Sequence, residues 1–279
     1  MIEGIRGSRK NSELTPAERV YLARLEERPK IYDFIESLFT DFFECKGDRA
    51  GKEDRSICGG IALFEGLPVT VLGHRKGRSL EENLACNFGM PGPEGYRKAL
   101  RLMKEAEKFS RPVITFIDTP GAYPGIDAEK FGQSGAIAEN LAFMSTMQVP
   151  VITFITGEGN SGGALAIAVA NKVYMLENAV YSILSPEGFC SIMWKDAARV
   201  KEACSMMKCT AQELYDFGIT DGILREHEGG AQNDIGAVCM EIRDVLRREL
   251  NRYSGMNGND IAAERQKKYR NIDVRFIVQ

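Results

Sequence analysis

Residues 153–170 read TFITGEGNSGGALAIAVA. A strand-like run leads into a loop with glycines at 157, 159, 162 and 163, and a wholly apolar helical segment, 161–170, follows. Three chemistries fit these letters. Gly157-x-Gly159-x-x-Gly162 is a dinucleotide fingerprint, with Glu177 placed downstream where a ribose-binding acid would stand. Against that, ALAIAVA has no polar outer face, the motif lies mid-chain behind a similar unit, and Glu177 reads as readily as an exposed turn residue. Gly159-x-Ser161-x-Gly163 is a nucleophile elbow, with His227 downstream and Asp196 or Asp221 to complete a Ser…Asp…His order. Ser161 is equally the natural N-cap of the helix, and His227 sits in the polar turn REHEGG. The third chemistry needs no side chain. Gly162 and Gly163 lack Cβ, so a ligand could approach their amides closely, and amides at a helix start have no partner inside the helix. Such donors form an oxyanion site, one donor typically contributing about 2.7–4 kcal/mol in a transition state.

The elements around this stretch point to an α/β fold with a parallel sheet. Arg111-PVITFID-Thr119 leads into TPGAYPG and a helix near 133–147. Val149-PVITFIT-Gly157 leads into GEGNSGG and the apolar helix. Each unit is strand, glycine loop, helix, and each strand is apolar and β-branched, as in a parallel sheet covered on both faces. Right-handed crossovers would bring both loops to one carboxyl edge, where ligands bind in open α/β folds. Ile57–Phe64 and Pro68–Leu72 read as a hairpin turning at Glu65-Gly66. Pro16 to Phe43 carries a helical pattern, and Pro91-Gly-Pro-Glu starts a helix running to about Phe109. Strands are expected at 172–176, 180–183 and 220–224, with helices near Pro186, after the Thr210–Glu213 capping box, and from Ile235 to Leu250. Residues 1–30 read as a weakly ordered or helical segment, 31–250 as the main domain, and 251–279 as a charged, solvated tail.

The chain has 279 residues, 44% hydrophobic and 27% charged, with a net charge of -3. That is long enough for a sizeable core, and the charge suggests neither a nucleic-acid nor a membrane surface. No apolar run is long enough to span a bilayer. Seven cysteines without a C-x-x-C pair, behind a polar N-terminus, suggest reduced thiols and a cytoplasmic protein.

Taken in order, RPKIYDFIESLFTDFFECKGDR (28–49), VLGHRKGR (71–78), NFGMPGPEGYRKALRLMKEAEKF (87–109), PVITFIDTPGAYPG (112–125), GEGNSGGALAI (157–167) and SPEGFCSIMWKD (185–196) resemble the alpha subunits of bacterial acetyl-CoA carboxylase carboxyltransferase. The resemblance implies the crotonase-like fold, a spiral of repeated ββα units with flanking helices. It implies transfer of a carboxyl group from carboxybiotin on the biotin carboxyl carrier protein to acetyl-CoA, giving malonyl-CoA, with the ureido anion taking the acetyl proton. The partner implied is a beta subunit of the same fold, in an α2β2 core, with biotin carboxylase supplying the ATP-dependent step. That partner carries a zinc ribbon; this chain lacks the cysteine set, so no metal is expected in it. Carried over residue by residue, Gly162 and Gly163 hold the ureido oxygen. Gly159, Asn160 and Ser161 complete that motif, and Gly121, Ala122, Tyr123 and Gly125 shape the neighbouring wall. His74, Arg75 and Lys76 lie near the site. The alternative kept beside it is a stand-alone crotonase-fold hydrolase using Ser161. The chain departs from the family at Asn160, where Gly is frequent, at Gly135, where an acid is common, and in a shorter N-terminal extension.

Overall fold

The computed structural model describes residues 10–277, with side chains through 272. Its strands are β1 (Thr40–Glu44), β2 (Ile57–Phe64), β3 (Leu67–His74), β4 (Val113–Thr119), β5 (Val151–Asn160), β6 (Lys172–Leu176), β7 (Val180–Ser182) and β8 (Gly222–Leu224). The helices are α1 (Pro16–Ala23), α2 (Ile31–Leu38), α3 (Leu80–Ala85), α4 (Pro93–Lys108), α5 (Ile126–Lys130), α6 (Gln133–Thr146), α7 (Ser161–Leu165), α8 (Pro186–Met193), α9 (Val200–Met207), α10 (Ala211–Asp216), α11 (Ile235–Tyr253) and α12 (Gly258–Ile277). One sheet runs β1-β2-β3-β4-β5-β6-β8, and β7 pairs with β5 off that path. The β1–β2 and β2–β3 pairs are antiparallel, and every pair from β3 to β8 is parallel. Among the described residues no helix is long and apolar enough to cross a membrane.

The two PVITFI copies lie side by side in register, Val113 against Val151 through Ile117 against Ile155. Identical letters therefore stack into identical layers. Thr115 and Thr153 share a buried 2.7 Å hydrogen bond, and Phe34, Phe116, Phe154 and Tyr174 form a stacked row at 5.4–5.9 Å, within the favourable range for aromatic pairs. Register then slips, so that Thr119 faces Gly159. The extra residues form a bulge at the end of β5, a device that re-aims a strand beside a site.

Several elements differ from the sequence expectation. Pro16–Phe43 is two short helices and then β1, which edge pairing with β2 draws into the sheet. The GEGN segment is the end of β5, not a loop. A Cβ on Gly157 would lie 2.6 Å from the Asp118 carboxyl carbon, and one on Gly159 would lie 2.9 Å from the Tyr181 ring. Glycine there lets neighbouring groups approach the strand. The helix expected over 161–170 is helical only to Leu165. At the N-terminus, residues 1–9 lie outside the described residues, but Asn11 is buried and donates to Glu177 and to the Glu226 carbonyl, each at 2.9 Å. The expected solvated tail is α12, which buries Ile261, Ala262 and Arg265. The Arg265 guanidinium donates to the carbonyls of Met144, Met147 and Val149 at 2.7–2.8 Å. It closes the C-terminal end of α6, whose last carbonyls have no helical partner.

Candidate active site

The glycine segments after β4 and β5 meet at the carboxyl edge of the sheet. A Cβ added to Gly163 would lie against the Ala122 amide nitrogen and 2.5 Å from the Gly121 carbonyl carbon. Gly163 is therefore bare so that two backbones can touch. Gly162 is different: an added Cβ would find only Ile137, at 3.6 Å. Gly162 and Ser161 open onto an apolar cavity of about 620 Å³ walled by Leu165, Tyr181, Leu184, Phe189, Met207 and Phe217, among others. That wall, among the described residues, carries neither a carboxylate nor an imidazole. Ser161 is exposed and stands at φ +63°, a left-handed conformation uncommon outside glycine.

Structure separates residues that the sequence grouped. Gly159 and Asn160 are buried within β5 beneath the cavity, not in its wall. Gly121, at φ +140°, and Ala122 support Gly163. Tyr123 faces a second cavity, of about 390 Å³, with Asn87, Gly92 and Phe131. Its amide donates to Pro91 at 2.9 Å. Gly125 packs under its ring, where a Cβ would come 2.9 Å from Cζ. Gly135, on α6, is exposed with open space around it.

Beneath the edge lies a charge cluster. Lys76 bridges Asp118 at 2.8 Å and Glu158 at 2.9 Å. Glu158 also accepts from Arg24 Nε at 2.8 Å, and Arg24 reaches on to Glu187 at 2.7 Å. Burial opposes the charge on both Asp118 and Lys76. Their mutual attraction, helped by Glu158 on the lysine side, outweighs it, holding the carboxyl below and the ammonium above their ordinary values. Arg28, fully buried with Glu226, adds a second pair at 3.1 Å. The Lys76 position follows from a motif visible in the sequence, but Arg24 and Arg28 come from the N-terminal segment, and no local pattern announces contacts across more than a hundred residues. His74 is buried beside the Gly163 and Phe116 backbones, and burial pushes its imidazole down to about 4, so it is neutral near pH 7. Arg75 lies over the Tyr32 ring at 5.3 Å and, through its amide, bonds Ser56.

Neither side-chain chemistry assembles. His227 is exposed and bonded to the Glu228 carbonyl. Asp196 caps the turn Ala197–Arg199, and Asp221 is held by Lys172 and Lys268. Ser161 does not cap α7; Asn160 occupies that position, and its side chain makes no cap bond. Glu177 is neither a free surface residue nor open to a ribose, since it accepts from Asn11 and from the Glu226 amide.

A model of the family described as acetyl co-enzyme A carboxylase carboxyltransferase-like matches residues 6–273. The chain is 53% identical to the acetyl-coenzyme A carboxylase carboxyl transferase subunit alpha of Clostridium acetobutylicum, covering 94% of this chain and 96% of that one. The subunit of the same name from Bacillus subtilis is 52% identical, covering 93% and 80%. Among solved structures, transcarboxylase 12S superposes with a TM-score of 0.65 at 18% identity, covering 84% of this chain and 44% of that chain. A Pseudomonas malonate decarboxylase hetero-tetramer chain gives 0.64 at 17% identity, covering 81% and 90%. These likenesses show the crotonase-like fold. With its fold, its paired glycine edges and its match along nearly the whole length, the chain belongs to the acetyl-CoA carboxylase carboxyltransferase family.

Proposed function

We propose that this chain is the alpha subunit of an acetyl-CoA carboxylase carboxyltransferase and that it forms the biotin-facing half of the active site. The observation carrying this is Gly162, set in the lining of a largely apolar cavity whose wall, among the described residues, carries no carboxylate and no imidazole and has Lys208 as its one charged side chain. A bicyclic, largely apolar ring with one ureido oxygen fits such a cavity, and the Gly162 amide is the donor that suits the oxygen. When bound, carboxybiotin on its carrier protein supplies the carboxyl group that acetyl-CoA receives, giving malonyl-CoA. This chain's part is to bind, orient and exclude water. The rigid sheet edge fixes the donor, the apolar wall lowers the local dielectric, and a hydrogen bond aimed at developing charge gains strength there. Gly163, Gly121 and Ala122 act by locking the two glycine segments together. Asn160 and Gly159 form the floor, and Tyr123 and Gly125 the adjoining wall.

The thioester half is assigned to a beta subunit, in an α2β2 core served by a biotin carboxyl carrier protein and a biotin carboxylase. The test is carboxyl transfer from malonyl-CoA to biocytin by this chain, the beta partner and their mixture. Activity in the mixture alone supports the assignment. A mixture that forms a complex yet transfers nothing overturns it. Gly162→Val, which puts a branched side chain on a residue of the cavity lining and against Ile137, is expected to abolish transfer, and normal transfer by it would remove Gly162 from the site.

A further inference from the structure

The Asn160 side chain is neither solvent-exposed nor bonded as a helix cap: it is 1% exposed and makes no bond to α7. The carboxamide instead points two ways. Nδ2 donates to Glu158 Oε2 at 3.2 Å, and Oδ1 accepts from Ser182 Oγ at 2.8 Å. The carboxylate fixes this orientation, because Glu158 can only accept. Ser182 also faces the Leu184 carbonyl at 2.5 Å, so its one proton is shared in a three-centre arrangement. Ser182 and Leu184 are cavity wall, as are Ser161 and Gly162. Backbone pairing between β5 and β7 ends at the Asn160–Ser182 rung. Past that rung one chain turns into the left-handed Ser161 and the other into the wall.

We propose that Asn160 is a positioning residue, its carboxamide reinforcing the last rung of the β5–β7 ladder and holding the Ser161–Gly162 backbone at a fixed distance from the cavity wall at Ser182–Leu184. The floor it is tied to does not move, since Glu158 is gripped by Lys76 and Arg24. A left-handed non-glycine residue persists only where its surroundings over-determine it, and Asn160 supplies part of that determination. This rests on the cavity being the biotin side of the site. The consequence is selective: the width of the biotin cavity depends on Asn160, whereas the coenzyme A side does not.

Asn160→Ala leaves no orphan, because Glu158 keeps its two cations and Ser182 keeps the Leu184 carbonyl, so the variant is expected to fold. Two readouts decide the matter. In the full-length chain, hydrogen exchange of peptides covering 160–165 and 182–185 is expected to accelerate at least tenfold in Asn160→Ala, with α4 and α11 unchanged. In the complex with the beta partner, the KM for biocytin is expected to rise about tenfold while that for malonyl-CoA stays within twofold. Ser182→Ala is expected to shift both readouts in the same direction, Ser182→Thr to restore them, and the double variant to be no worse than Asn160→Ala alone. Unchanged exchange in Asn160→Ala overturns the proposal whether or not the complex transfers carboxyl groups, and so separates its failure from a failure of the functional assignment. Equal increases in both KM values, or single effects that simply multiply in the double variant, overturn it as well.

Discussion

Gly162 and Gly163 are adjacent and chemically identical, yet the structure predicts different effects on stability for giving each a methyl group. At Gly163 the methyl would lie 2.5 Å from the Gly121 carbonyl carbon and closer still to the Ala122 nitrogen. Carbon atoms rest at about 3.5–4.0 Å, so the 121–122 backbone must retreat by roughly 1 Å. Overpacking of that kind costs about 1–3 kcal/mol, or about 2–5 °C of melting temperature in a chain of this size. A 1 Å displacement at a reacting centre costs on the order of a hundredfold in rate, so Gly163→Ala loses both stability and turnover. At Gly162 the methyl meets Ile137 at an ordinary 3.6 Å. Alanine exceeds glycine in helix propensity by up to about 1 kcal/mol, so Gly162→Ala melts no lower than the parent. On the proposed role of the Gly162 amide, a methyl on the same residue is expected to lower turnover at least tenfold. Differential scanning calorimetry of each variant, with malonyl-CoA to biocytin transfer in the reconstituted complex, reads both axes. Gly163→Ala with parental melting and turnover, or Gly162→Ala with parental turnover, would refute the division of labour between the two glycines.

Three further outcomes are expected. Lys76→Met leaves Asp118 buried without its cation, costing about 3–5 kcal/mol in denaturant unfolding at pH 7. With burial then raising Asp118, the native state takes up a proton first on acidification, and the deficit narrows towards pH 4; a deficit independent of pH would contradict this. His74, lowered to about 4 by burial, is protonated in the unfolded chain but not in the folded one between that value and about 6.5. Stability is therefore full above about pH 6.5 and falls by up to about 3 kcal/mol on approaching pH 4, a slope that His74→Asn should flatten and that urea titrations across this range would detect. Arg265→Met strands the carbonyls of Met144, Met147 and Val149, at about 1–3 kcal/mol for a buried unpaired group. Limited proteolysis should then cut α12 away from α6 first, and a variant cleaved no faster than the parent would show that the helix is held elsewhere.

The parts of the fold legible in the sequence are those in which local letters and global pairing agree. PVITFI occurs twice, is β-branched and is followed by glycine both times; the two copies pair in register, and the segments after them meet. The hairpin at Glu65-Gly66 and the capping box at Thr210–Glu213 are equally local, and both are present. Legibility failed where a remote partner decides. Phe42 continues a helical spacing but lies in β1, because β2 offers an edge to pair with. Residues 258–272 look solvated by composition, yet Ile261 and Arg265, spaced four apart, point inward. A buried guanidinium is invisible to hydropathy because what stabilises it is a set of carbonyls elsewhere in the chain.

The site shows the same division at higher resolution. Four glycines in seven residues mark a place where something approaches closely, and that much is correct. What approaches differs at each: the Asp118 carboxylate at Gly157, the Tyr181 ring at Gly159, the Ala122 backbone at Gly163, and at Gly162, which also lines the cavity, only the Ile137 side chain at an ordinary 3.6 Å. Three of the four are crowded by the protein's own neighbours, and the fourth, Gly162, is uncrowded and lines a ligand-sized space. Sequence spacing cannot distinguish these cases, since every neighbour lies far along the chain or, for Gly162, outside it. On the proposed reading, in which the Gly162 amide is the donor, the three internal approaches supply its rigidity. Gly157 admits the carboxylate that anchors Lys76, and Gly159 admits the ring that backs the cavity. Gly163 joins the two glycine segments, so the Gly162 amide is carried on a backbone clamped from three sides. An amide held that way needs no reorganisation when charge develops in front of it, which is the condition under which a single hydrogen bond contributes most to catalysis.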